Sequence, residues 1–356
     1  MTRHVVPEVP ARVEALAERW RERAAAAERA RTLPDATVAE LADAGLLRLA
    51  APTARGGPGH GWPTLAEAAR VAARACPSTG WVLGVVGGHA ALAGRLSAAD
   101  LMFTARSPLF ATASGGRLTA VPGGVVVSGR WRFSSAVDHA SWVVVNGCAA
   151  TDRLLVPLPV EQVRIEDGWH VTGMAATGSK TFAVDDVLVP RSRVDVLAEC
   201  FSARWSPDTA PTDYLGQVPF LPYATSTVIG PLLGCAEGAF EAVRTPSDGV
   251  AESAAELACA RHLYDSICDT LHSAGLERRP LTAVEAATVG RDRAYLARLC
   301  VRAVHRLVEL SGTAAHFDDH PIARHWRDLQ MMAAHRDVDW VTHARAHAAL
   351  TLETGR

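Results

Sequence analysis

The chain has 356 residues, 49% of them hydrophobic and 21% charged, with a formal net charge of -2. That balance suits a folded protein of two or three domains and supplies no cationic field for nucleic acid or an anionic membrane surface. The seven cysteines, Cys76, Cys148, Cys200, Cys235, Cys259, Cys268 and Cys300, form no C-x-x-C pair, which argues against a disulfide framework or a zinc knuckle and points to a reducing cytoplasm.

The opening residues, MTRHVVPEVPARVEALAERW, lack the apolar stretch of a secretory signal. Helical periodicity runs from about Val9 to Arg106: Val13, Leu16, Ala17 and Trp20 recur at three- and four-residue spacing, Asp35 and Thr37 are cap candidates, and Gly45 is a stop. GGPGHGWP breaks the pattern and TLAEAARVAARAC resumes it. Residues 75–94 carry no Asp, Glu, Lys or Arg, but Pro77 and repeated glycines make them a buried helix rather than a membrane span. From Pro108 the period changes to short runs rich in Val and Phe, separated by Gly, Pro and Asp, which is a β domain. In it VPGGVVV predicts a hairpin, with Gly123 and Gly124 supplying positive backbone angles. From Pro219 long helical segments return. The expected organisation is a helical domain over 1–107, a β domain over 108–200 and a helical domain over 201–356.

Three stretches carry candidate chemistry. In SGRWRFSSAVDHASWVVV, Ser134 and Ser135 follow an aromatic-flanked strand; on the residues alone, two serines that merely end a strand are as good a reading as two placed hydroxyls. DGWHVTGMAATGSKTFAVDDVLVP contains Thr177, Gly178 and Ser179 in a turn, where glycine lets backbone amides approach a ring or phosphate. LSGTAAHFDDHPIARHWRDLQMMAAHR ends on His335. His89, in WVLGVVGGHAAL, is on its own more simply a satisfied core histidine. Gly87 and Gly88 before it weaken the helix by about 1 kcal/mol each relative to Ala, which invites close approach of a ligand or a neighbouring helix. His316 and His320, like His343 and His347, are spaced for one helix face, yet Pro321 interrupts the first pair and no H-E-x-x-H occurs, so no metal is expected. Nothing matches a Rossmann fingerprint, a P-loop or a nucleophile elbow.

In this order the stretches resemble the acyl-CoA dehydrogenase superfamily, and within it the flavin-dependent monooxygenases of two-component systems. Trp131, Phe133, Ser134, Ser135, His139 and Trp142 match its strand motif; Thr177, Gly178 and Ser179 its flavin-facing turn; Asp185, Asp186, Val187 and Pro190 its exit strand; and Gly312, Pro321, Arg324, Trp326, Arg327, Asp328 and His335 its C-terminal ending. The resemblance implies an α+β, mostly α fold: an N-terminal helical domain, a central β barrel and a C-terminal four-helix bundle, assembled as a homotetramer (dimer of dimers). It implies reduced FAD or FMN delivered by a separate NAD(P)H-dependent flavin reductase, held by Trp131, Phe133, Ser134, Ser135, Thr177, Gly178, Ser179 and Gly312. Oxygen then adds at flavin carbon 4a and hydroxylates a small aromatic or amino substrate. Ser135 would bond the flavin N5 edge, His335 would manage the peroxide proton, and His89 would orient or deprotonate the substrate.

Two features depart from the pattern. EAVRTPSDGVAESAAEL is shorter than the family's segment, leaving Arg244 as its one basic residue toward a flavin phosphate, and Lys180 puts a charge beside the ring, as a phosphate or substrate contact or as a solvated strand end. A dehydrogenase of the same fold would need an α-proton base, for which Asp318, Asp319 and Asp337 are the nearest carboxylates. A member that has lost its flavin is the third alternative.

Overall fold

The computed structural model describes residues 4–354 except 106, 244, 245 and 319; Arg244 and Asp319 therefore lie outside the described residues. The chain opens with α1 (Glu8–Ala30), whose Val13 and Trp20 are buried, and α2 (Asp35–Asp43). Asp35 opens α2, but neither it nor Thr37 caps the helix: Pro34 stands at the cap position with ψ 143° and no side-chain cap bond forms. Proline fixes the entry angle there and leaves no role for a hydroxyl or carboxylate cap. Gly45 ends the segment at φ 70°. Then α3 (Trp62–Ala75), buried along almost all of its length, packs between α1 and the later helix α9 (Ile229–Glu241).

The 75–94 stretch is one helix in three pieces: α4 (Pro77–Trp81), a π turn over Val82–Val86, and α5 (Gly87–Ala93). Glycine is required where this helix crosses α3, since a Cβ on Gly80 would meet the Ala73 backbone nitrogen at 2.6 Å and one on Gly84 would meet the Ala69 methyl at 2.8 Å. Among the described residues no helix is long and apolar enough to cross a membrane. The short α6 (Ala99–Met102) leads into the strands.

The β domain comprises β1 (Phe110–Ser114), β2 (Arg117–Val121), β3 (Gly124–Ser134), β4 (Trp142–Ala149), β5 (Asp152–Pro159), β6 (Arg164–Glu166), β7 (Lys180–Pro190) and β8 (Asp195–Val196). They form two four-stranded sheets, in the orders β1-β4-β5-β8 and β2-β3-β7-β6. Only the β1–β4 pair, of those described, runs parallel. Trp131 and Phe182 stack in the interior with ring centroids 5.6 Å apart. The β2–β3 hairpin forms, with Gly123 at φ 85°. Gly124 does not share the positive angle expected for it; it is glycine because a Cβ there would sit 2.2 Å from the Val189 carbonyl oxygen.

After α7 (Leu197–Phe201), residues 202–219 follow an irregular path pinned by the buried Arg95, which donates to the carbonyls of Ser202, Leu215 and Val218. The remaining helices are α8 (Phe220–Ser226), α9 (Ile229–Glu241), α10 (Asp248–Leu276), α11 (Ala283–Ser311), α12 (Pro321–Ala333) and α13 (Trp340–Thr354). Helices α9 to α12 pack on one another as the C-terminal bundle and α13 lies along α11. A buried ionic group made of Glu67, Arg70 and Glu237, extended by Arg261 and the Tyr264 hydroxyl, ties α3 to α9 and α10. The N-terminal helices are thus anchored on the bundle, and the 77–93 helix is held between bundle and sheets.

Candidate functional site

The site begins where β3 ends. A bulge between Trp131 and Ser134 puts Phe133 at φ 61° and breaks the alternation of the strand. Trp131 therefore points into the barrel core, fully buried, while Phe133 stands 61% exposed with Trp169 edge-on to its ring. Just past the bulge the Ala136 amide donates to the Thr177 carbonyl at 2.8 Å, which straps the end of β3 to the 175–177 turn. The strap brings three hydroxyls together: Ser135 Oγ and Ser179 Oγ are 2.8 Å apart, and Ser179 Oγ and Thr177 Oγ1 are 2.8 Å apart. Thr177 donates onward to the Met174 carbonyl at 2.7 Å, and the Trp81 indole N–H donates to Ser135 Oγ at 3.1 Å.

Trp81 joins this cluster to the C-terminal motif. Its ring meets that of His335 edge to face, with centroids 5.7 Å apart at 69°. His335 Nδ1 accepts the Asp337 amide at 3.3 Å, so its neutral form carries the proton on Nε2. Burial pushes the pKa of His335 down, helped by the charges of Arg336 and Arg293 and opposed by Asp337. Arg293, buried in α11, donates to the Asp337 carbonyl at 2.6 Å and so holds the turn that carries His335.

His89 lies eight residues beyond Trp81 on the same helix. Its Nδ1–H donates to the Phe110 carbonyl at 2.8 Å, and its Nε2 faces the Thr112 hydroxyl at 3.1 Å. Burial lowers its pKa to about 4 against a smaller opposing effect of the Phe110 carbonyl. The ring is therefore neutral at pH 7, with Nε2 as an acceptor.

The remaining expected residues scatter around this frame. Gly178, at φ 53°, makes the turn that sets Thr177 against Ser179. Ser134 is fully buried and its hydroxyl has no partner, while Gly312 caps α11, exposed and outside the hydroxyl cluster. Lys180 is not a solvated strand end, since it pairs with Asp138 at 3.0 Å with most of its side chain covered. Of the carboxylates, Asp337 sits beside His335 and Asp318 is exposed. His343 and His347 each face an arginine, Arg293 and Arg291 respectively. Among the described residues no group of three His, Cys, Asp or Glu side chains could hold a metal ion. A cavity of about 490 Å³ lined by Pro52, Thr53, Arg204, Asp213 and Gln217, among others, opens beside the 202–219 segment and includes none of the hydroxyl cluster.

Sequence reasoning missed Trp81, Thr112 and the part played by Asp328. Asp328 is 2% exposed and accepts the Met174 amide, which anchors the 174–177 turn onto α12. Arg324 and Arg327 are both engaged by Glu28, so they do little for Asp328. Burial raises its pKa to about 7, with the Met174 amide acting against the rise and Glu28 adding to it. A carboxyl whose folded pKa lies above its unfolded value, about 3.9, contributes most stability below that value and loses it as pH rises through 7. Asp328→Asn is thus expected to remove a fall in unfolding free energy between pH 4 and 8, on the order of 2 kcal/mol. Urea titrations of both forms across that range check it; a fall that persists in the variant assigns it to another group.

For a flavin, the fit rests on Ser135: half-buried at the mouth of the cluster, its oxygen takes one donor from Trp81 and gives one hydrogen bond to Ser179 behind it, which leaves an open lone pair. An uncharged hydroxyl with a free acceptor position on a braced strand end suits the N–H edge of a reduced isoalloxazine.

Comparison with known proteins agrees in kind. The family described as "Acyl-CoA dehydrogenase, N-terminal domain" matches residues 10–96, and "Acyl-CoA dehydrogenase, C-terminal domain" matches residues 245–340. The chain is 31% identical to the flavin-dependent monooxygenase, oxygenase subunit HsaA, of Mycobacterium tuberculosis, over 93% of this chain and 92% of that protein. It is 29% identical to the FADH2-dependent resorcinol hydroxylase, oxygenase component, of a Rhizobium species, over 92% of this chain and 90% of that one. Among solved structures, XiaF from Streptomyces sp. in complex with FADH2 and glycerol superposes with a TM-score of 0.90 at 24% identity, over 98% of this chain and 95% of that one, which is a likeness of fold.

Proposed function

We propose, since this chain belongs to the acyl-CoA dehydrogenase family and within it to the flavin-dependent monooxygenase oxygenase subunits, that it hydroxylates a small phenol with reduced FAD or FMN supplied by a separate flavin reductase. Both named relatives are oxygenase components, and the resorcinol hydroxylase acts on a phenol according to its name, which supports that substrate class.

The observation that carries the reading is the opposite polarity of the two imidazoles. His89 presents an acceptor Nε2, which the Thr112 hydroxyl fills, and His335 an Nε2–H. Aromatic hydroxylation needs one group that draws the phenol proton away and another that hydrogen-bonds the oxygen atom leaving as water, whose added proton is the one the phenol gives up; an acceptor and a donor imidazole in contrasting environments supply such a division of roles. When bound, reduced flavin supplies the two electrons with which one atom of O2 enters the ring and the other becomes water. Ser135 would hold the flavin N5 edge, with Ser179 and Thr177 behind it and Trp81 against it. His89, braced by the Phe110 carbonyl, would draw on the phenol O–H through the Thr112 hydroxyl, which donates to Nε2 and has a lone pair left to accept the phenol, and His335 would keep its proton on the side of Trp81. The largely buried 77–93 helix limits water around these groups.

The test is anaerobic titration of the purified protein with reduced FAD and reduced FMN, followed by mixing with labelled O2 and a panel of simple phenols. Binding of one reduced flavin and transfer of one labelled oxygen atom into a phenol is expected. Failure to bind either reduced flavin, or flavin binding with consumption of acyl thioesters in place of phenols, overturns the reading.

A further inference from the structure

Each hydrogen of the hydroxyl cluster has a direction that can be read from its far end. The Met174 carbonyl has no hydrogen to give, so Thr177 must donate to it, at 2.7 Å. With its one hydrogen committed, Thr177 must accept from Ser179, at 2.8 Å. Ser179 is then committed as well and must accept from Ser135, again at 2.8 Å. At the near end the Trp81 indole can only donate, and it occupies one lone pair of Ser135 at 3.1 Å. Ser135 is left with no hydrogen to offer and one lone pair to fill. Thr177 and Ser179 are 1% and 6% exposed, so no water competes for their hydrogens.

We propose that this chain, Trp81 to Ser135 to Ser179 to Thr177 to Met174, is a polarity lock that commits the Ser135 hydroxyl to accepting and makes the site select reduced over oxidised flavin. The proposal rests on the flavin reading above. Reduced flavin carries a hydrogen on N5 and meets the open lone pair of Ser135. Oxidised flavin carries a lone pair on N5 and meets another lone pair. Thr177 and Ser179 are accordingly positioning residues: they act on the flavin through Ser135 and set which redox state it accepts. The selection suits an oxygenase that must take reduced flavin from a separate donor and release it once oxidised.

The polarity is fixed from the Met174 end, so it can be reversed at a distance. In Thr177→Val the Ser179 hydrogen is no longer committed and turns toward Ser135, which frees the Ser135 hydrogen to point at the flavin. Ser179→Ala frees it directly. Thr177→Ser keeps the donor and restores the lock.

The experiment measures dissociation constants of oxidised FAD and FMN by fluorescence, and of the reduced forms by anaerobic titration, for the wild-type chain and the three variants. The wild type is expected to prefer reduced flavin. The ratio of oxidised to reduced dissociation constants is expected to fall about tenfold in Thr177→Val and in Ser179→Ala, the effect of one hydrogen bond gained or lost, and to stay within about twofold in Thr177→Ser. A general loosening of the turn would weaken both redox forms together and leave the ratio alone. Flavin binding with an unchanged ratio in Ser179→Ala and Thr177→Val, or a wild type that prefers the oxidised form, overturns the lock and leaves the proposed function standing. A wild type that binds neither redox form removes both.

Discussion

Replacing His335 with alanine is expected to lower hydroxylated product per reduced flavin about 100-fold, with the missing oxygen recovered as hydrogen peroxide. Reduced-flavin affinity should change by less than about threefold, because the Ser135 cluster does not depend on the imidazole. His335 Nδ1 is occupied by the Asp337 amide, so the hydrogen on Nε2 is the one available to the reaction. Its pKa is held below the ordinary histidine value by burial and by Arg336 and Arg293. Coupling in the wild type should therefore be flat from about pH 6.5 upward. It should fall at lower pH, as the ring charges and Nδ1 turns to the Asp337 carboxylate 3.5 Å away. His335→Asn, which keeps a hydrogen-bond donor but has no ring to titrate, should retain much of the coupling and lose its fall at low pH. Product yield and peroxide measured in one reaction decide the matter, and a fully coupled alanine variant removes His335 from the chemistry.

His89→Ala is expected to slow phenol turnover by about 100-fold at pH 7 while leaving reduced-flavin binding alone. A ring held at about 4 does not take a proton outright from a phenol. Through the Thr112 hydroxyl it takes up a hydrogen bond from the phenol O–H, and it gains the proton along that path as the ring carbon is attacked, when the O–H becomes strongly acidic. The variant depends on phenol that has already ionised, so its rate should rise by about tenfold per pH unit toward the ordinary phenol pKa near 10, closing the gap to the wild type. Thr112→Val should show a smaller loss of the same kind. Stopped-flow turnover from pH 6 to 9 checks both, and parallel pH profiles for wild type and His89→Ala would show that His89 merely fills space.

The sequence carried the fold through changes of period: the 3.6-residue pattern up to Arg106, the short Val-rich runs after Pro108, and the long helices that became α10 and α11. Ser135, Ser179 and His335 were legible because each sits in a continuous motif. Trp81 and Thr112 were not, since their roles exist only in contacts with Ser135, 54 residues away, and with His89, 23 residues away. Trp131 and Phe133 were read together as flavin contacts because both match the family's strand motif, and in a regular strand they would share one face. The bulge at Phe133 separates them, and a one-residue irregularity leaves no mark in a hydrophobic pattern. The Gly124 expectation erred for a related reason: a glycine required by a neighbouring carbonyl looks, in sequence, like one required by its own backbone angle.

The π turn at Val82–Val86 separates the residue that touches Ser135 from the residue that touches Thr112. In an α-helix each residue turns the next by about 100° and advances it by about 1.5 Å, so one residue more or fewer between Trp81 and His89 re-aims the imidazole by more than a quarter of a circle. The wide turn works as a spacer in angle as well as in length, and it fixes the bearing of the His89 end relative to the Trp81 end. A homologue that changed its loops freely could adopt new substrates, whereas one that gained or lost a single residue in VLGVV would carry both ends of the site intact and aimed past each other.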